Sequence, residues 1–124
     1  MTFYAVIPVA KPRMTQSDKW NKRACVVRYW QFCDDIRGSG ATLESGDSVV
    51  FHMPMPASWS AKKRQKMLMQ AHKQTPDIDN LLKGLMDSLH KQDSHISSLS
   101  IAKAWSQVAG ITISRSDKIQ EIVT

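Results

Sequence analysis

Long hydrophobic runs are missing from this 124-residue chain. No stretch approaches the roughly 20 consecutive apolar residues that cross a bilayer, so no membrane-spanning helix is expected. The opening MTFYAVIPVAKPR has no basic residue ahead of its short apolar run and no small-residue cleavage pattern behind it. That argues against a secretory signal and for the cytoplasm. Cysteine is scarce: Cys25 and Cys33 stand eight residues apart in one expected helix. They are therefore about 12 Å apart along its axis, too far to pair with each other, and read as reduced core thiols. The histidines, His52, His72, His90 and His95, lack the regular spacing of a zinc site. They read as surface or packing residues, with His95 the one candidate proton shuttle. Internal repeats, low-complexity tracts and long linkers are also absent, which leaves one expected domain, residues 1–124.

What is present describes a basic, foldable chain. The hydrophobic fraction of 42% with 23% charged residues is ordinary for a globular protein and excludes a disordered one. Seventeen Lys and Arg stand against eleven Asp and Glu, a formal net charge of +6. Such an excess points to an anionic partner such as nucleic acid.

FYAVIPV, residues 3–9, is β-branched and aromatic and predicts a first strand stopped by proline. KPRMT follows as a basic loop. Ser17 then reads as a helix N-cap with Asp18 in the first turn, and Cys25, Tyr29, Phe32 and Ile36 recur at helical spacing until GSG at 38–40. In SVVFHMPMP, Val49, Phe51, Met53 and Met55 alternate with Val50 and His52, which predicts a strand ending at its prolines. SWSAKKRQKMLMQAHKQ predicts a short helix capped by Ser58 or Ser60 and carrying Lys62, Lys63, Arg64, Lys66 and Lys73. Ile78, Leu82, Leu85 and Leu89 mark a third helix, and LSIAKAW and ITIS supply two further strands. This order predicts a two-layer α/β or α+β domain, a small mixed sheet packed by helices.

The charge is unevenly spread. TPDIDNLLKGLMDSLHKQDSHI, residues 75–96, gathers four of the eleven acidic residues of a basic protein. Asp77 and Asp79 flank Ile78 at the start of the third helix. The plain reading is that Asp77 caps the helix and Asp79 complements its dipole, worth roughly 0.3–1 kcal/mol. Asp79, Lys83 and Asp87 recur every four residues on a face other than the apolar stripe. As solvated ion pairs they contribute ~0.3–0.5 kcal/mol each. Asp93 follows in the tight KQDSH turn before the next strand. Clustered carboxylates repel one another unless a cation neutralises them. Mg²⁺ is the natural guest, with Mn²⁺ as alternative, because it takes oxygen ligands and needs few carboxylates. A metal so held suits phosphodiester hydrolysis, with Lys83 one turn on facing a phosphate oxygen or developing charge.

PDIDNLLKGLMDSL followed by QDSHI resembles the signature of RusA-type Holliday-junction resolvases, metal-dependent endonucleases that cut four-way DNA junctions. That pattern has an Asp-x-Asp-Asn pair opening a helix, a lysine four residues later, a further Asp, and an Asp-x-x-(Ile/Val) turn into a strand. Here these are Asp77, Asp79, Asn80, Lys83, Asp87, Asp93 and Ile96. The resemblance implies a RusA-like fold in which Asp77, Asp79 and Asp93 bind the metal and Lys83 is the essential cation, with Asn80 and Asp87 as accessory positions. It also implies a homodimer that makes paired symmetric nicks during recombination and repair. KPRMT and the order of elements look like the phage-borne branch of the family, which implies the cytoplasm of a bacterial host cell. Only HKQ separates the helix from Asp93.

A junction substrate would need phosphate contacts along several duplex arms. Lys11, Arg13, Lys19, Lys22, Arg23, Lys62, Lys63, Arg64 and Lys66 are the candidates. Trp59 and Trp105 read as core aromatics, with base stacking as the alternative. The seven methionines read as core filler or a subunit interface. Two rival functions stay open. One is a non-catalytic architectural DNA-binding protein, and the other is a nuclease for flaps or other branched DNA.

Overall fold

A computed structural model of the chain describes residues 1–13, 24–90 and 94–115. Ser17, Asp18, Lys19, Lys22, Arg23 and Asp93 lie outside the described residues. In chain order the elements are β1 (Thr2–Tyr4), α1 (Ala24–Gly38), β2 (Ser48–Pro54), α2 (Ala61–Met67), α3 (Ile78–Leu89), β3 (Ser100–Ser106) and β4 (Gly110–Ser114). The strands form one mixed sheet in the order β1-β4-β2-β3. β4 runs antiparallel to both β1 and β2, whereas β3 lies parallel to β2 with Phe51 opposite Lys103. A parallel pair needs a long crossover, and α2 and α3 supply it. No helix among the described residues is long and apolar enough to cross a membrane.

The alternation in β2 holds: Val49, Phe51 and Met53 are buried while Val50 and His52 are half-buried. The inward set packs with Tyr29, Phe32, Cys33 and Ile36 of α1, Leu81 and Leu85 of α3, and Ile111 and Ile113 of β4. This is the expected small α+β domain. On the other face the His52 ring meets Thr112 Oγ1 at 2.7 Å and Phe3 edge-on at 5.4 Å.

Three elements differ in detail from the sequence reading. β1 covers three residues, not the stretch 3–9, because its partner β4 begins at Gly110 and Val6 N bonds back to Tyr4 O at 2.8 Å. From there the chain leaves the sheet, burying Pro8 and packing Val9 and Ala10 against the core. In α1 the buried face includes Val26 and Cys33, and Cys25 is only half-buried. In α3 the buried line is Leu81, Gly84, Leu85 and Ser88, with Ile78, Leu82 and Leu89 along its margins.

The rotation of α3 has a packing cause. A Cβ at Gly84 would lie 3.0 Å from Val9 O and 3.3 Å from Tyr29 Cε1, so the small residue lets both α1 and the N-terminal segment approach the helix. Ser88 returns its hydroxyl to Gly84 O at 2.7 Å, and Arg37 Nε reaches Ser88 O at 2.8 Å. Gly84→Ala gains about 1 kcal/mol of helix propensity but crowds a backbone carbonyl. Its net effect is expected to be a loss of about 1–2 kcal/mol, typical of overpacking. Chemical denaturation would measure it.

The β3 edge of the sheet is covered. Met69 N donates to Trp105 O at 2.8 Å, Trp105 N to Gln70 O at 3.0 Å, and His72 N to Lys103 O at 3.0 Å. Residues 69–72 therefore run as a strap along β3 and deliver the chain directly to the start of α3.

Candidate active site at the start of helix α3

Asp77 occupies the N-cap position of α3 with extended backbone, φ −68° and ψ 144°, and its carbonyl accepts Leu81 N at 3.2 Å. Its carboxylate makes no capping hydrogen bond, so the cap is a backbone cap only. Asp79 lies within the first turn, and both aspartates are exposed. Two carboxylates thus stand at the positive end of the helix dipole. One turn later Lys83 is also exposed and makes no ion pair among the described residues.

The basic N-terminal loop lies against the same helix. Lys11 N donates to Asn80 O at 3.1 Å, beside the opening left by Gly84. Lys11, Pro12, Arg13, Asn80 and Lys83 together line a cleft against the first turns of α3. Side chains more than 65 residues apart in sequence thereby share one surface of mixed charge, positive along the cleft and negative at the helix tip.

Asp87 is committed elsewhere. Its carboxylate pairs with Lys11 Nζ at 2.5 Å, with Tyr29 Oη 3.5 Å away, and not with Lys83 one turn before it. Burial, then Cys33, then Asp87 push the Tyr29 phenol well above its usual value. The expected i,i+4 pairing of Asp87 gives way because Lys11 is carried to it by the loop. Asp87 acts as the clip that holds the basic loop on α3.

The short basic helix divides its charges. Ser60 caps it, accepting Lys63 N at 3.2 Å. Arg64 donates to Pro56 O at 2.8 Å and to Trp59 O at 3.2 Å, and Lys63 lies 4.5 Å over the Trp59 ring. Lys62 and Lys66 are exposed and the helix buries no residue, so its outer side faces solvent. Trp105 is 4% exposed and meets the tilted rings of Trp59 at 4.7 Å and His72 at 4.2 Å, which makes it a core aromatic.

The histidines do not join the aspartates. His90 Nε2 lies 3.0 Å from Leu43 O, and the exposed His95 packs edge-on against His90 at 4.9 Å. His72 is buried with its Nδ1 unpartnered. Burial, reinforced by Lys103, holds its pKa below the ordinary 6.5, and burial lowers His52 likewise. A group with a lowered folded pKa binds fewer protons folded than unfolded, so stability rises with pH up to the unfolded value. The melting temperature is therefore expected to be flat above about pH 6.5 and to fall towards pH 5. His72→Phe should blunt that fall in a thermal scan across the same range.

Asp93, the third carboxylate of the expected set, lies outside the described residues. Among the described residues no three His, Cys, Asp or Glu side chains converge. One residue near the site escaped the sequence reading: Lys103, in the middle of the apolar β3, reaches the turn in front of Asp77. Its signal was a lone charge in the run SIAKAWS.

Searches of curated proteins and of solved structures gave no match. The family model described as endodeoxyribonuclease RusA matches residues 41–114, which is more than half of the chain and spans β2 through β4 with the whole acidic segment. The chain belongs to the RusA endodeoxyribonuclease family.

Proposed function

We propose that this protein is a metal-dependent endonuclease that resolves four-way and related branched DNA, working as a homodimer in recombination and repair. The observation that carries the reading is the state of Asp77: it sits at a helix cap yet leaves its carboxylate uncommitted, exposed beside Asp79. If the two aspartates served only to finish the helix, the Asp77 side chain would bond the backbone N–H groups of the first turn.

The donor set fits the ion. Asp77 and Asp79, with Asp93 as the expected third ligand, offer only carboxylate oxygens, the preference of Mg²⁺ and Mn²⁺ over softer metals. A bound Mg²⁺ supplies Lewis acidity at the phosphate and a more acidic water. The chain's own residues perform the remaining tasks. Asp77 and Asp79 hold their place at the helix tip. Lys83 places a positive charge one turn from them, where it neutralises a non-bridging phosphate oxygen as charge builds during attack. Arg13 and the cleft backbone align the strand, and Lys62, Lys63 and Lys66 extend the positive surface towards a further duplex arm. Lys11 contributes mainly by holding the loop through Asp87.

A cruciform plasmid distinguishes this function from its neighbours. Paired cutting across the junction gives linear product, whereas a flap or single-strand nuclease gives nicked circles. Linear product in Mg²⁺ and none in EDTA supports the reading; binding without any cutting would leave an architectural protein.

A further inference from the structure

Lys103 sits in β3 opposite Phe51 and is half-buried, an unusual place for a lone ammonium group. Among the described residues it is not paired with a carboxylate. Its Nζ donates to Gln74 O and, at 2.6 Å, to Pro76 O. These two carbonyls belong to the turn that ends at Asp77. The backbone pairing of the strap with β3 stops at His72. Among the described residues, the hydrogen bonds that reach residues 73–76 come from Lys103.

The consequence is geometric. A peptide unit is planar, so fixing Pro76 O also fixes the Asp77 nitrogen across the same plane. The direction in which the Asp77 carboxylate leaves the backbone then follows from its φ of −68° and its place as the first half-turn of α3. Pro76 has no N–H with which to secure the turn from the other side. We propose that Lys103 is a positioning residue for the nuclease site, setting the direction of the Asp77 carboxylate by gripping the two carbonyls in front of it. This inference rests on the nuclease reading given above and adds a residue whose role is to orient Asp77, not to touch DNA.

Three variants of the full-length chain test it. Lys103→Met keeps the length and loses the donors; Lys103→Arg keeps a positive fork able to reach both carbonyls. Lys103→Gln, shorter but polar, stands in if the methionine variant does not fold. Junction cleavage by Lys103→Met is expected to fall about 10–100-fold in kcat. Its Kd for an uncut junction in EDTA should stay within about threefold, and Lys103→Arg should recover most of the rate. Amide resonances of the metal-free protein give a second readout: Asp77 and Ile78 should move in Lys103→Met and return towards their positions in Lys103→Arg. A wild-type rate in Lys103→Met would overturn the proposal. So would equal losses of binding and cleavage, both restored by arginine, since that is the behaviour of a DNA contact. If the wild-type protein cuts no branched DNA, the nuclease reading fails on its own, and the resonances of Asp77 and Ile78 still decide whether Lys103 sets that turn.

Discussion

Asp79→Asn is expected to lower the rate of four-way junction cleavage by about 10³-fold, because a metal-organised site supplies several kcal/mol of transition-state stabilisation at 1.36 kcal/mol per tenfold. The substitution keeps size and shape and removes one negative charge. Asp79 is exposed in the first turn of α3, where asparagine is also tolerated, so the fold should survive. Affinity for an uncut junction in EDTA should stay the same or tighten by a few fold, since a negative charge leaves a surface that faces phosphate. Cleavage and binding therefore move in opposite directions. The architectural alternative behaves otherwise. An architectural protein has no cleavage to lose, and a protein whose Asp79 only complements a dipole would lose less than about 1 kcal/mol of stability and nothing else.

Lys83→Met is expected to cost about 10²–10³-fold in cleavage rate, the range seen when one donor aimed at developing charge is removed. Lys83 is exposed, one turn from Asp79, and forms no ion pair among the described residues. Its removal leaves no buried partner stranded, so stability should change by less than about 0.5 kcal/mol. Binding should weaken only modestly, with a salt dependence reduced by about one phosphate contact. Lys83→Arg should restore part of the rate at most, because a planar fork is not a point charge on a flexible stem. Lys11→Met offers the informative contrast. Lys11 is clipped to Asp87, so its loss should loosen the N-terminal loop and lower stability while leaving the site chemistry in place.

The elements that carry these residues were readable because each buries one face. Strict alternation in β2 and the apolar stripe of α3 placed a strand and a helix correctly, and the helix in turn placed Asp77, Asp79 and Lys83 on its exposed side. The buried line of α3 lies about one residue from its apolar stripe because its tightest contacts are made by Gly84 and Ser88, which carry no apolar signal. Spacing offers Lys83 as the ion-pair partner of Asp87 because it shows only neighbours on one helix. Its partner Lys11 lies 76 positions away and arrives through a loop. Lys103 was overlooked for the same reason, since its role depends on a parallel pairing with β2 and on a strap that no local pattern reveals. β1 was read too long because hydrophobic content does not say where the partner strand begins.

The measurement that bears most directly on the account is cleavage of an end-labelled synthetic four-way junction, beside matched linear duplex, by the wild type and Asp77→Asn in Mg²⁺ or EDTA. The account predicts symmetric nicks on two opposing strands of the junction, in Mg²⁺ only, with little cutting of duplex and none by Asp77→Asn while that variant still binds the junction. Cleavage by Asp77→Asn at the wild-type rate, or nicks that persist in EDTA, would contradict it and return Asp77 to the role of a helix end.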